Sequence, residues 1–401
     1  MLSDLAFRLA ESGEEVHVVA GRQLYDDPAA NLPGFEEVNK VSVHRVRAGR
    51  FGRARLVGRM IDYLFFYAAS AVTVLRLARK RDIVVVKTDP PLLSLVAGNA
   101  ARLKGAHTVN WLQDLFPDVA IALGVKLLRG GTGRALMRLR DGSLRRATAN
   151  VVISQRMADR LALLGTPRGR LHVVTNWADD HVIAPMLTSD NSLRAEWYLN
   201  NQFVVGYSGN LGRAHEFETI LGAAERLKHD PRFAYLFIGG GHFIPEVTAR
   251  VQQMNLERLF QFKPYQDRSQ LSLSLGVPDI HWLSMRAELE GLLLPSKLYG
   301  IAAAGRPIVA ITADDSEVAR LVRSHKCGVA VTIGDSNGLA EALMRLADNP
   351  TELAEMGRNA RRMLDLDFSR EMAFSRWQRV IEECAPQVAT RPHQVDRLAV
   401  R

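Results

Sequence analysis

The sequence predicts an α/β protein made of two doubly wound parallel-sheet domains. Three observations carry this. Short β-branched runs alternate with stretches of helical spacing through both halves of the chain, and a polar, proline-containing segment separates the two series. With 401 residues, 47% hydrophobic and 24% charged, the chain is also long enough for two cores.

In the first half the strand candidates are Val16 to Ala20, Val41 to Val46, Ile83 to Lys87, Thr108 to Leu112, Val151 to Ser154 and Leu171 to Thr175. Alternation with helices implies one parallel sheet covered on both faces. The second half repeats the pattern with Phe203 to Tyr207, Ala234 to Ile238, Leu259 to Phe262, Ile280 to Leu283, Ile308 to Ile311 and Val329 to Thr332. Between the halves, Pro185 and the cluster Thr188-Ser189-Asp190-Asn191-Ser192 read as a linker. The expected division is a first domain over 1–187, a second over 188–370, a helix over 371–385, and a disordered tail over 386–401.

The start departs from the pattern. The chain opens on a helix, with Leu5 and Leu9 on one face and Gly13 closing it, before any strand. A doubly wound domain ordinarily opens on a strand and a ligand-facing loop. The first strand is therefore expected to be missing, through truncation or a misassigned start.

Composition excludes several classes. Cys327 and Cys384 fit neither a metal-ligand spacing nor a disulfide framework, which points to a reducing, cytoplasmic setting. The amino terminus lacks the charged start and apolar run of a signal peptide. The longest uncharged apolar stretch, Tyr63 to Leu75, falls short of the roughly 20 residues needed to span a bilayer. Net charge is +9, and Arg45, Arg47, Arg50, Arg53, Arg55 and Arg59 crowd the approach to that stretch. Two readings stay open for Arg45 to Leu75: peripheral contact with anionic headgroups, or a solvated basic loop beside a core helix. With 7% aromatics and no recognition motif, nucleic acid is not an expected partner.

The sharpest motif is Leu293-Leu294-Pro295-Ser296-Lys297-Leu298-Tyr299-Gly300, running to Gly305-Arg306-Pro307. A helix starting at Pro295 or Ser296 would offer N–H groups to an anion, and Lys297 would add a full charge. An ordinary capped helix ended by Gly305 is the plain alternative. Tyr207-Ser208-Gly209-Asn210-Leu211-Gly212-Arg213 follows a strand, where glycines let backbone approach a ligand and Arg213 could pair with phosphate. Gly239-Gly240-Gly241 closes the next strand. Neither is a dinucleotide fingerprint. Asp114 and Asp118 fall at the carboxyl end of the strand Thr108 to Leu112; Asp114 could hold an acceptor hydroxyl, whereas helix capping suits Asp118. The eleven histidines are scattered, and Asp365-Leu366-Asp367 sits late in a helical stretch, so no metal is expected. No nucleophile elbow or phosphate loop occurs.

Leu293 to Pro307, Tyr207 to Gly212, Asn110 to Gly124 and Thr175 to Asp179 together resemble glycosyltransferase family 4, more narrowly the bacterial aminosugar transferases of surface-polysaccharide assembly. The likeness runs to about Arg376. It implies the GT-B architecture: two Rossmann-like domains facing a cleft, with Arg370 to Glu383 crossing back to the first. It also implies a retaining, metal-independent transfer from a nucleotide sugar, UDP-linked by preference, to a lipid-linked diphosphate or glycan acceptor, with no cofactor.

Carried over residue by residue, the resemblance puts Gly209, Asn210, Gly212 and Gly240 against the donor. Lys297, Arg213, Pro295, Ser296 and Leu298 go to its diphosphate, Lys263 and Tyr265 near its base, Glu317 beside its sugar or ribose, and Asp114 on the acceptor. The family's paired glutamates are not kept: their positions are Leu292 and Gly300, and Glu290 is the nearest substitute. With the missing first unit, this leaves a scaffold subunit as the rival reading.

Overall fold

The computed structural model describes residues 1–23, 32–47 and 56–385. Arg50, Arg53 and Arg55 of the basic run, and the tail expected to be disordered, lie outside these residues.

The first domain runs α1 (Leu2–Glu11), β1 (Val16–Gly21), β2 (Phe35–Val38), β3 (Val41–Val46), α2 (Leu56–Leu77), β4 (Ile83–Lys87), α3 (Leu93–Leu103), β5 (His107–Leu112), α4 (Asp118–Ala122), α5 (Gly131–Arg146), β6 (Ala149–Val152), α6 (Gln155–Leu163) and β7 (Leu171–Val173). Its strands form two sheets where one was expected. β4-β5-β6-β7 is parallel throughout, and β1-β3-β2 is mixed. The sequence reading missed β2. It pairs antiparallel with β3 across Asn39-Lys40, both at positive φ (50° and 63°), the backbone of a tight two-residue hairpin turn. Its alternating burial over only four residues leaves too short a pattern to recognise.

The apolar stretch expected to be thirteen residues long belongs to the 22-residue α2, because Asp62 and Arg76 do not interrupt helix formation. Over Met60–Leu77 it is long and apolar enough to cross a membrane by length and composition.

The second domain runs α7 (Ser192–Glu196), β8 (Phe203–Asn210), α8 (Glu218–Arg226), β9 (Phe233–Gly240), α9 (Ile244–Gln253), β10 (Phe260–Lys263), α10 (Leu271–Gly276), β11 (Ile280–Ser284), α11 (Lys297–Ala303), β12 (Ile308–Thr312), α12 (Glu317–Ser324), β13 (Gly328–Thr332), α13 (Ser336–Asp348) and α14 (Pro350–Met363). Its six strands are parallel in the order β10-β9-β8-β11-β12-β13. That is the doubly wound order, starting from the middle and reversing once.

Apolar packing joins the domains in two places. An apolar cluster crosses the boundary, with Leu115, Met157 and Leu161 on one side and Leu289, Leu292 and Leu298 on the other. The last helix, α15 (Arg370–Cys384), returns to the first domain: Phe374, Trp377 and Val380 pack with Trp111, Val151 and Trp177. Trp377 meets Trp111 edge-on at 4.8 Å.

Candidate functional site

Strand order reverses between β8 and β11, which lie side by side and deliver their carboxyl ends to one point. An open sheet leaves a crevice there, because the helices following the two strands cover opposite faces. β8 ends in Ser208-Gly209-Asn210 and β11 in Ser284. The Ser284 hydroxyl ties the next turn down, donating to Glu216 O at 2.6 Å and accepting from Glu216 N at 3.0 Å.

Lys297 opens α11 and reaches back into this crevice. Its Nζ donates to Asn210 O at 3.1 Å, lies 3.2 Å from His215 Nε2, and stands 5.1 Å from the centre of the Tyr207 ring. The Tyr207 hydroxyl donates to the same carbonyl at 2.9 Å. His215 Nδ1 is 2.7 Å from Ser284 O, which can only accept. Nδ1 therefore carries the proton, and Nε2 faces Lys297 as an acceptor. Burial first, and then the Lys297 charge, pushes His215 down to about 4, so the ring is neutral at pH 7. Burial pushes Lys297 down to about 8. Its neighbours are a carbonyl, a neutral ring nitrogen and a π face, and among the described residues no carboxylate pairs with it.

Glycine makes the approach feasible. Gly209 has φ +118°, and a Cβ there would stand 3.1 Å from Lys297 Cε; at Gly239, φ +127°, a Cβ would meet Gly209 O at 2.4 Å. The Tyr265 ring lies against Gly239 and Gly240 and is 62% exposed, leaving an aromatic face at the sheet edge.

Asp114 forms an isolated bridge with Leu293, and Leu115 N donates to Leu292 O at 2.9 Å. This brings Asp114 alongside the segment that leads into Lys297. Burial raises its carboxyl above the usual range, opposed by a hydrogen bond from Thr88 and reinforced by Asp89. Thr88 and Asp114 line a small cavity with Lys87, Leu92 and Arg140.

A second clasp crosses the boundary. The Glu317 carboxylate accepts from Gln155 N and Arg156 N, each at 3.2 Å, at the open first turn of α6. Glu290 Oε1 accepts from Glu317 N at 2.9 Å and pairs with Arg156 Nε at 3.2 Å, while Arg156 Nη2 pairs with Asp315 at 3.1 Å.

The family model for a glycosyl transferase 4-like domain matches residues 1–177, and that for glycosyl transferases group 1 matches residues 190–363. The chain belongs to the family 4 glycosyltransferases. It is 25% identical over 331 residues to WbjE of Pseudomonas aeruginosa, described as a glycosyltransferase, covering 82% of this chain and 81% of WbjE. It is 30% identical over 240 residues, 58% of each chain, to WcaI of Escherichia coli K12, described as a colanic acid biosynthesis glycosyl transferase. Among solved structures, Anabaena HepE in complex with UDP superimposes with a TM-score of 0.67 at 16% identity, covering 85% of this chain and 86% of HepE. That likeness is one of fold.

For a family 4 glycosyltransferase, the structure gathers Gly209, Asn210, Pro295, Ser296 and Lys297 at the switch point, with Gly240 and Tyr265 at the neighbouring strand end and Asp114 across the boundary. Gly212 packs near the Asn210 side chain, and Arg213 is exposed with no ion pair among the described residues.

Other expected residues are engaged elsewhere. Lys263 places its ammonium over Trp197 at 5.2 Å, because the end of β10 faces α7. The Leu298 side chain is fully buried and its N–H turns back to Pro295 O at 3.3 Å, so both are engaged within the protein. Ser296 is the N-cap of α11 but its hydroxyl makes no cap bond, since its backbone is already helical (φ −66°, ψ −15°). Glu290 and Glu317 serve the clasp. Asp118 does not cap α4; Arg140 and Arg160 hold its carboxylate at 2.7 and 3.0 Å.

Sequence reasoning missed His215, Arg156 and Thr88. His215 stands two residues beyond the segment Tyr207 to Arg213, and as one of eleven scattered histidines it carries no local signal. Arg156 is one of 52 basic residues and shows no local signal.

Proposed function

We propose that this glycosyltransferase moves an N-acetylated aminosugar from a UDP-linked donor to a lipid-linked diphosphate or saccharide acceptor in surface-polysaccharide assembly. Transfer proceeds with retention and without a metal ion, in the cytoplasm or on the inner face of the cytoplasmic membrane. One observation carries the reading: Lys297 is a desolvated cation at the switch point with no anionic partner among the described residues. Holding such a charge is costly, and a bound diphosphate relieves the cost.

As the glycosidic bond to the diphosphate breaks, negative charge builds on the leaving phosphate, where Lys297 stabilises it from a fixed position. His215 and Asn210 O hold the ammonium in place, and Arg213 adds charge from the rim. The acceptor hydroxyl, held by Asp114, bonds to the sugar carbon from the leaving-group face as its proton passes to the departing phosphate oxygen, so the nucleoside diphosphate leaves with that proton. HepE being solved with UDP supports the uridine donor, and the WcaI likeness supports a polysaccharide product. Aminosugar and retention rest on the motif resemblance.

The test is a thermal-shift titration of the 401-residue chain with UDP, GDP and their sugars, with and without EDTA, beside Lys297→Ala. Binding to the folded state raises the melting temperature by mass action. A shift with UDP that survives EDTA and disappears in the variant is expected. No shift with any nucleotide overturns the reading in favour of a scaffold subunit.

A further inference from the structure

The outward stripe of α2 runs against the rule for a surface helix. Met60, Leu64, Ala68, Val72 and Leu75 recur at helical spacing and all are exposed; Leu64 is 64% and the adjacent Phe65 56% accessible. Such a stripe is about 18 Å long from Met60 to Val72. The opposite face is satisfied inside the protein: Val74 and Ala78 pack on Ala100 and Ala101 of α3. A surface helix ordinarily turns its polar residues outward, and an apolar face of this extent marks an interaction site.

Charge identifies the partner. Between Arg45 and Arg81 lie ten of the chain's 52 basic residues and one of its 43 acidic residues, which leaves 42 of each sign elsewhere. This segment of 37 residues thus accounts for the whole net charge of +9. At the far end of the stripe Arg76, Lys80 and Arg81 are exposed and form no ion pair among the described residues; Arg79 is also exposed, with Glu15 3.8 Å away. An apolar stripe that ends among exposed cations, and that follows a basic run in the sequence, complements an anionic bilayer surface, whose headgroups take the cations while the acyl boundary takes the side chains.

We propose that α2 is a monotopic membrane-docking helix that lies along an anionic lipid surface. The Tyr67 hydroxyl donates to Pro91 O in the loop following β4, whose other end carries Thr88. Docking through α2 therefore holds the Thr88 and Asp114 cavity close to the headgroups. The consequence that an acceptor could keep its lipid tail in the bilayer rests on the proposed acceptor; the docking itself does not.

The experiment is flotation of the full chain with vesicles of phosphatidylcholine alone or with three parts in ten phosphatidylglycerol, comparing Leu64→Gln/Val72→Gln. The wild type is expected to float with the anionic vesicles, with at least a tenfold weaker partition on phosphatidylcholine or in high salt. The variant is expected to lose at least tenfold with an unchanged melting temperature. A wild type that stays in the aqueous phase, or a variant that floats as well, overturns the proposal. So does a lipid-free dimer that the variant dissociates, which would assign the stripe to a second copy. Should the variant unfold, Leu64→Cys carrying an environment-sensitive fluorophore reads insertion directly; unshifted emission on anionic vesicles overturns the proposal. Nucleotide binding is scored separately, so loss of the donor reading leaves this result standing.

Discussion

The sheets of the two domains are built from equally apolar strands and end in different environments. In the second domain β11 and β12 are buried at every position. In the first, β1 (VHVVAG) and β4 (IVVVK) bury only Val86 among their eleven positions. Strand composition states which surface is to be kept dry, but its neighbours must supply the cover. β11 and β12 are interior strands of a six-strand ladder, whereas β1 and β4 are edges of ladders of three and four; the edges β10 and β13 of the second sheet are as open, and β5 and β6 inside the first are buried at nearly every position. The second domain thus has four interior strands in one sheet, and the first has three divided between two sheets.

The sharpest way to break this comparison is Trp377→Ala. Its indole belongs to the cluster through which α15 holds the first domain, and large aromatic truncations in such cores cost about 3–5 kcal/mol. Hydrogen exchange should show protection lost in β4 to β7 and kept in β8 to β13; equal loss in both would mean the domains unfold as one unit.

Next in size, Lys297→Ala should lower kcat/KM by roughly 10²–10³-fold, the range for removing one preorganised charge from a developing anion. Without ligand, the variant should melt at or above the wild-type temperature, because a half-buried cation with no carboxylate partner among the described residues has been removed. A lower melting temperature would make Lys297 a structural residue.

Acid then probes two buried histidines of the second domain. His215 and His281 are both pushed down to about 4 by burial. Their ordinary value is near 6.5, so the unfolded chain takes up these protons first. Stability is therefore present above pH 6.5 and is lost as the pH falls toward 4, by at most on the order of 3 kcal/mol per histidine. Urea melts at pH 7 and 4.5 measure the slope, and His281→Gln should flatten it.

The smallest effect belongs to the clasp. Glu317→Gln should cost no more than about 1 kcal/mol, as for a partly exposed ionic contact. Amide exchange at Gln155 and Arg156 should quicken while the β8 to β13 core is unchanged.

Twelve strands could be placed from the sequence because period and β-branching are local properties, and the order of motifs pointed to the family. Lys297, Gly209 and Asn210 were legible for the same reason: a strand, a glycine turn and a helix start each leave a short signature. Tertiary structure alone decided which of these meet. Lys297 and Asn210 are 87 positions apart and touch because β8 and β11 are neighbours where strand order reverses. Only that contact turns His215 from a scattered histidine into the acceptor beside a desolvated ammonium. Glu290 and Glu317 went to Arg156 and the α6 amides because packing of the two domains brings a helix start opposite those carboxylates. Side-chain chemistry is written residue by residue, but its partner, and so its charge state and use, is set by what the fold places within hydrogen-bonding reach.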